Sequence, residues 1–317
     1  MNDLDNKKEI NDEIDPKELF AVLWLNKTFI ITLTGFVALV SVLYSLSLTN
    51  IYTAKTLLSP TSSLGNSDSL SQYSSIASMA GINLPKAGGD NQLDVALELV
   101  KSKKLLDRLM LYESFLPDLL AAESWAMQTN TITYNQALYD KKNNLWVRKA
   151  SLPFKKIPSS QEALGKFTSL VSISRDNNTK LITLTVDHLS PVVAHQWSLW
   201  IVKEVNTILA NMEISNSQAS IDYLNRQIKI TPYSELRTMF YKLIQESTQS
   251  MMLASVNPEY VLTTIDPPVI PEIKSGPKRS SICIFWTLLG GMLSILIILV
   301  RKHGFSKDDE LNIFKLR

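Results

Sequence analysis

Two long apolar segments, one near each end of the chain, restrict this protein more than any other feature of its sequence. They are Thr28–Leu48 and Ser280–Val300, and each has 21 residues without Asp, Glu, Lys, Arg or His. A helix of that length extends about 32 Å, close to the thickness of a bilayer core of about 30 Å. A backbone in lipid must satisfy its own hydrogen bonds, so the segments are predicted to be helical. We interpret them as two membrane spans, in preference to two buried core helices.

Two spans place residues 49–279 on one side of a membrane and both tails, 1–27 and 301–317, on the other. The leader has seven acidic residues against four lysines and no A-x-A site, unlike a cleavable signal peptide. Basic residues flank the second segment on both sides, so the positive-inside rule gives no orientation. The shortness of both tails favours cytoplasmic tails and a translocated central domain.

Charge and cysteine content limit the partners and the compartment. The chain has 32 basic and 30 acidic side chains, a net charge of +2, and no basic stripe, so nucleic acid is not an expected partner. Its one cysteine, Cys283, lies inside the second apolar segment and excludes an intramolecular disulfide. A domain outside the cytosol then depends on packing and assembly, which suits a bacterial envelope.

The pattern between the two spans predicts an α+β domain. β-Branched and aromatic runs predict strands at Ile51–Pro60, Leu170–Ser174, Leu181–Asp187 and Tyr260–Ile265. Apolar spacing predicts helices at 94–110 and 133–150. The Ser-, Gly- and Asn-rich residues 61–92 predict a long loop with at most a short helix near Ile76–Met79.

A long helical hairpin is the most distinctive prediction for this domain. Ser190-Pro191 starts a helix that keeps its apolar period to Ile230, about 60 Å in length. Pro232 ends it, and a second helix, Tyr233 to about Ser255, returns beside it. The shorter helix cannot cover the whole apolar stripe of the longer one, so neighbouring copies of the chain are the expected cover.

Three further features concern the membrane. Residues 15–26 begin with a capping box and predict a short helix, either lying on the membrane or continuous with the first span. Prolines predict a stiff, extended connection into the second span: Pro267, Pro268, Pro271 and Pro277. Glycines that allow close helix approach, or that membrane helices simply tolerate, are Gly35, Gly290 and Gly291.

No pattern of catalytic residues is recognisable. Gly165-Lys166 resembles part of a P-loop, but Ser160 replaces the first glycine and Phe167 the Ser/Thr that should follow the lysine. The three histidines lack metal-ligand spacing, and no GxSxG motif is present. We therefore expect no enzyme activity, no metal and no cofactor.

The order of these segments resembles one known family, the Wzz chain-length determinants of bacterial surface polysaccharides, also called polysaccharide co-polymerases. The resemblance rests on EIDPKELFAVLW, IYTAKTLLSP, IASMAGINL, ALELVKSKKLLDRL and EYVLTTIDPPVIPEIKSGPKR, and covers nearly the whole chain. The proline-rich segment before the second span is the family's hallmark. Larger relatives carry an additional cytoplasmic kinase with a phosphate-binding loop, and no such activity is expected from this sequence.

The resemblance implies an inner-membrane protein with cytoplasmic tails, a periplasmic α/β base and a protruding helical hairpin. It implies ring-shaped homo-oligomers that set the length of O-antigen or a related glycan made by a Wzy-type polymerase, with possible contact to the lipid-linked glycan and to membrane lipid. Our hypothesis is a non-catalytic scaffold acting on that polymerase. The alternatives are a periplasmic adaptor of an envelope export system and, less well supported, a two-span sensor.

Overall fold

The computed structural model describes residues 23–61 and 89–313, without the side chains of 89–91 and 302–313. Thr49–Ser275 form one compact unit, and the described residues up to Leu48 and from Gly276 onward form a second. Most of the helix predicted at 15–26, the loop at 62–88 with its short helix, and the last four residues lie outside the described residues.

The described elements are helices and short strands in mixed order, as expected for an α+β chain. They are α1 (Lys27–Ser47), β1 (Tyr52–Pro60), α2 (Gly89–Val100), α3 (Lys103–Leu109), α4 (Phe115–Leu120), β2 (Ala122–Ala126), β3 (Thr131–Tyr134), β4 (Tyr139–Asp140), β5 (Leu145–Trp146), α5 (Ser160–Leu170), β6 (Val171–Arg175), β7 (Ile182–His188), α6 (Pro191–Ile230), α7 (Ser234–Val256), β8 (Leu262–Asp266) and α8 (Arg279–Ile313).

Helices α1 and α8 contain the two apolar segments. Lys27–Ser47 has a mean hydropathy of 2.2 and Arg279–Arg301 one of 2.5, and both are long enough to cross a membrane. Only 11% and 17% of these stretches are buried within the structure, which disfavours core helices of a globular domain. The two helices therefore fit the transmembrane interpretation. Helix α8 continues beyond Val300 to Ile313.

A four-stranded sheet organises the larger unit, in the order β6-β7-β1-β8. All neighbours are antiparallel, with Tyr52 opposite His188 and Pro60 opposite Leu262. The strands predicted at Leu170–Ser174 and Leu181–Asp187 are β6 and β7, joined by the predicted turn. In that turn Asp176 Oδ1 accepts from the backbone amides of Asn178 and Thr179, as turn-forming Asp residues commonly do.

The core lies between this sheet and the first half of α6. Strand β7 alternates buried and half-buried residues, which directs one face inward. Trp197 of α6 is fully buried, with its ring 4.6 Å from the ring of Phe115 in α4. Helices α2, α3 and α5 contribute further buried leucines and Phe167. The predicted helix at 94–110 is divided where Ser102 Oγ caps α3 by accepting from the amide of Leu105.

The helix predicted at 133–150 is wrong. Its place is taken by short antiparallel pairs, β2 with β3 and β4 with β5. Asn130 and Asn144 have φ of 48° and 52°, left-handed turn conformations that Asn tolerates better than most residues. Across the second pair, the rings of Tyr139 and Trp146 lie 5.3 Å apart. Cross-strand aromatic contacts and turn-forming Asn residues therefore outweigh a weak helical period.

The helical hairpin is formed by α6 and α7. Helix α6 has 40 residues and begins at Pro191, with Ser190 Oγ accepting from the amide of Val193. Near the far end, Leu224 of α6 packs with three residues of α7: Met239, Phe240 and Leu243. Together they make a small second core, separate from the one at the sheet.

Candidate functional site

The pairing of α1 with α8 depends on small residues. The buried positions on the two helices recur about every four residues, so each set lies on one helix face. They are Ser41 and Ser45 on α1 and Gly290, Ser294 and Ile298 on α8. We call Ser41, Ser45, Gly290 and Ser294 the small-residue seam. Small side chains let membrane helices approach closely, where van der Waals packing provides the attraction.

The three predicted glycines differ in their surroundings. A Cβ added at Gly290 would lie 2.9 Å from both Cβ and Cγ1 of Val37, so this position requires glycine. A Cβ at Gly291 would have only Thr34 Oγ1 nearby, at 3.9 Å, and at Gly35 no atom lies within 4 Å. Close approach of α1 and α8 therefore uses Gly290, while Gly35 faces open space.

The hydroxyl groups in and beside the seam are only partly satisfied. Ser41 Oγ donates to the carbonyl of Ala38 at 2.8 Å, and Ser294 Oγ donates to that of Gly291 at 2.7 Å. Thr34 Oγ1 and Ser45 Oγ are buried without a hydrogen-bond partner. Because unpaired hydroxyls are costly in an apolar medium, these two atoms favour a further polar contact at this helix pair.

The proline-rich connection leads from β8 back to the start of β1. Its prolines lack an amide hydrogen, so the segment has few donors for sheet pairing; they are Pro267, Pro268, Pro271 and Pro277. The chain is fixed at Ser275, whose amide donates to the Ile51 carbonyl at 2.9 Å. Ser275 Oγ donates to the same carbonyl at 3.0 Å. The connections to α1 and α8 therefore leave the sheet unit side by side.

A buried carboxylate joins the long helix α6 to α3. Glu204 Oε2 accepts from Arg108 Nε at 2.9 Å, and Oε1 accepts from the Tyr112 hydroxyl at 2.9 Å. Burial, together with this hydrogen bond, raises the pKa of Tyr112. The Tyr112 ring stacks on Trp200 at 4.1 Å. Both carboxylate oxygens are therefore satisfied, and the long helix is fixed at its base.

Asn206 joins the same helix to the last strand. Its Oδ1 accepts from the amides of Val261 and Leu262 at 3.0 and 2.9 Å, and its Nδ2 donates to the Leu262 carbonyl at 2.9 Å. Neither Glu204 nor Asn206 was predicted from the sequence. The sequence did contain a signal for them, since both are polar residues within the buried apolar stripe of α6, between Ile201 and Ile208. Polar side chains at buried positions need hydrogen-bond partners inside the protein.

A buried histidine lies where β7 ends and α6 begins. His188 Nδ1 accepts from the Ser190 amide at 3.0 Å, so the hydrogen is on Nε2, which faces the Asp118 backbone carbonyl at 3.1 Å. Burial lowers the pKa of His188. The Asp118 carboxylate accepts from the Tyr134 hydroxyl at 2.6 Å, and burial raises its pKa. This arrangement fixes the neutral imidazole and couples α4 to the start of the hairpin.

The described part of the chain has few features of a catalytic or ligand-binding site. Among residues 23–61 and 89–313, no group of three or more His, Cys, Asp or Glu could hold a metal ion. Gly165 and Lys166 lie within α5, where backbone amides bond along the helix and cannot form a phosphate cradle. An open groove of about 550 Å³ lies between α3 and α6; it is lined by Lys104, Asp107, Arg108, Ile208, Asn211, Met212, Ser215 and Asn216.

Comparison with known proteins finds a family match for the N-terminal third of the chain. Residues 12–111 match the family model described as Wzz, chain length determinant protein. No curated protein matches the sequence.

Two solved structures resemble this one at low similarity. One is a full-length bacterial polysaccharide co-polymerase, 14% identical, with a TM-score of 0.37, covering 92% of this chain and 99% of that chain. The other is a fragment of WzzB, a polysaccharide co-polymerase from Salmonella Typhimurium, 11% identical, with a TM-score of 0.28, covering 72% of this chain and 100% of that chain. The assignment of function therefore depends on the family model.

Proposed function

We propose that this chain is a chain length determinant of the Wzz type and limits how far a bacterial surface polysaccharide is extended, on the basis of the family match over residues 12–111. The match to the family model is the observation that carries this proposal. The polymer is O-antigen of lipopolysaccharide or a related glycan made by a Wzy-type polymerase. The protein acts on that polymerase as a scaffold and catalyses no step itself.

The proposed location is the bacterial inner membrane. Helices α1 and α8 cross the bilayer, residues 49–279 lie in the periplasm, and both termini are cytoplasmic. The length, hydropathy and exposed apolar surface of the two helices support this arrangement. The proline-rich connection from the sheet unit to α8 is proposed to be stiff, since proline restricts the backbone and Ser275 is bonded to Ile51.

The proposed active form is a ring of identical chains. Both helices of the hairpin expose large apolar side chains, which in a lone chain would remain in water; they include Leu199, Met212, Tyr223, Tyr241 and Met252. Neighbouring copies would bury this surface. Gly35, with no atom within 4 Å of its added Cβ, is the proposed site where another membrane helix packs, either of a second copy or of the polymerase.

Polymer length distributions provide the direct test. In a strain lacking the gene, gel electrophoresis of surface polysaccharide is expected to show loss of the preferred length. Complementation with the intact chain restores it, and Gly35→Leu restores it only in part because the bulky side chain blocks helix packing. An unchanged ladder after deletion would contradict the proposal, and loss of all surface polymer would favour an export adaptor instead.

A further inference from the structure

The two chain connections that lead from the sheet unit to α1 and α8 begin at one corner of that unit. Ile51 and Ser275 are bonded to each other there, and Lys274 Nζ donates to Asn50 Oδ1 at 3.4 Å. Four residue steps separate Ile51 from Ser47, where α1 ends, and four separate Ser275 from Arg279, where α8 begins. Four steps of extended chain span about 14 Å. If α1 and α8 cross a bilayer, as proposed above, this corner cannot lie far from its surface.

The β2–β3 hairpin is joined to the same corner. The ring of Tyr52, at the start of β1, lies 5.3 Å from that of Trp125 in an edge-to-face contact. Trp125 Nε1 donates to Asn130 Oδ1 at 2.9 Å, which closes the turn between the two strands. Met127 projects from this turn with 74% of its surface exposed. The hairpin therefore presents one exposed apolar side chain, that of Met127, in a turn close to the tryptophan.

The proline-rich connection adds a second apolar side chain near the corner. Ile273 is 82% exposed and is two residues from Ser275. It is followed directly by Lys274, a cation on a long apolar stem. An exposed isoleucine, an exposed methionine, a tryptophan and a lysine beside a membrane surface have the composition of an interfacial contact.

We propose that Trp125, Met127, Ile273 and Lys274, the corner surface, contact the lipid of the membrane that α1 and α8 span. Met127 and Ile273 enter the interfacial region, and the Trp125 ring lies at the level of the headgroups. Lys274 binds headgroup phosphates. The short connections favour lipid over a second chain as the occupant, because they keep this corner beside the bilayer in every copy. The inference rests on the proposed membrane spans.

Site-specific fluorescence in proteoliposomes tests the corner surface with the full-length chain. In a Cys283→Ser background, Met127→Cys and Ile273→Cys each receive an environment-sensitive label. Ile230→Cys is the matched control. Ile230 is 73% exposed, but it is the last of the 40 residues of α6, at the end of the helix opposite the one that adjoins the sheet. The expected result is a blue-shifted emission and about twofold quenching by spin-labelled lipid at the first two positions, with neither effect at the control.

Two results would overturn the inference. Labels at Met127 and Ile273 could be as exposed to water as the label at Ile230. They could instead be shielded from water without being quenched by spin-labelled lipid, which would mean that another protein chain covers the corner. A label on native Cys283, within α8, separates the two proposals. If lipid quenches Cys283 but neither corner position, the spans stand and the corner surface fails; if it quenches none, the membrane spans themselves fail.

Discussion

Removal of the Glu204 carboxylate tests whether a buried charge pair fixes the long helix α6 to α3. Glu204 is 5% exposed, and its two oxygens accept from Arg108 and Tyr112 at 2.9 Å each. In Glu204→Ala both donors lose their acceptor. The Arg108 side chain is 45% exposed, so its guanidinium can turn to water, whereas the Tyr112 hydroxyl is held by the stacking of its ring on Trp200.

The expected loss of stability depends on how well water can solvate Arg108 and Tyr112 once the carboxylate is removed. Hydrogen bonds to charged groups contribute about 1.5–3 kcal/mol each, and breaking a fully buried pair costs about 3–5 kcal/mol. The cost here should be smaller than for a fully buried pair, because Arg108 can be solvated and the substitution also removes the buried charge of Glu204. We therefore expect Glu204→Ala to lower the free energy of unfolding by about 2 kcal/mol. Glu204→Gln retains one acceptor oxygen and should lie between the alanine variant and the wild type.

Lys103→Ala is the matched control on the same helix α3. Lys103 and Asp107 form an ion pair at 2.5 Å, but their side chains are 59% and 48% exposed, so its loss should cost below about 0.5 kcal/mol. Denaturant unfolding of the full chain in non-ionic detergent, followed by tryptophan fluorescence, measures both variants. Equal midpoints for Glu204→Ala and Lys103→Ala would refute the reasoning from burial.

Three further predictions follow from the described contacts. Gly290→Ala should lower the thermal transition in detergent, because overpacking against Val37 costs about 1–3 kcal/mol, while Gly35→Ala should lower it less, because no atom of the same chain lies within 4 Å of the added Cβ; equal transitions would contradict the seam. Asn206→Ala leaves two buried amides unpaired at the start of β8 and should cost about 2–4 kcal/mol, seen as faster hydrogen exchange there; unchanged exchange would contradict this. Burial lowers the pKa of His188 below its ordinary 6.5, so its contribution to stability is full above that pH and is lost as the pH falls below it. His188→Gln should therefore flatten the change in unfolding midpoint between about pH 7 and pH 5, and an equally steep change would contradict the assignment.

Local signals were sufficient for much of the fold. The Ser190 cap with Pro191 fixes the start of α6, and Pro232 separates it from α7, so the bounds of the hairpin follow from neighbouring residues. The β6–β7 turn follows in the same way from Asp176 and the polar residues after it. Such features depend on residues within one turn of each other, which a single sequence displays directly.

Features that depend on distant partners could not be predicted. The cross-strand pair of Tyr139 and Trp146 overrides the weak helical period at 133–150 only after the chain has turned at Asn144. Likewise, the sequence presents Gly35 and Gly290 as equivalent glycines in apolar helices. Only the position of Val37 in the folded pair shows which of the two is required by close packing.

Thiol accessibility in spheroplasts tests the central claim, two spans with the large unit outside the cytoplasm, most directly. In a Cys283→Ser background, single cysteines replace Asn2, Ile230 and Arg317 in separate variants. We expect a membrane-impermeant maleimide to label the variant at position 230 in intact spheroplasts, and the two terminal variants only after permeabilisation. Labelling of either terminus in intact spheroplasts, or protection of position 230 there, would contradict the account.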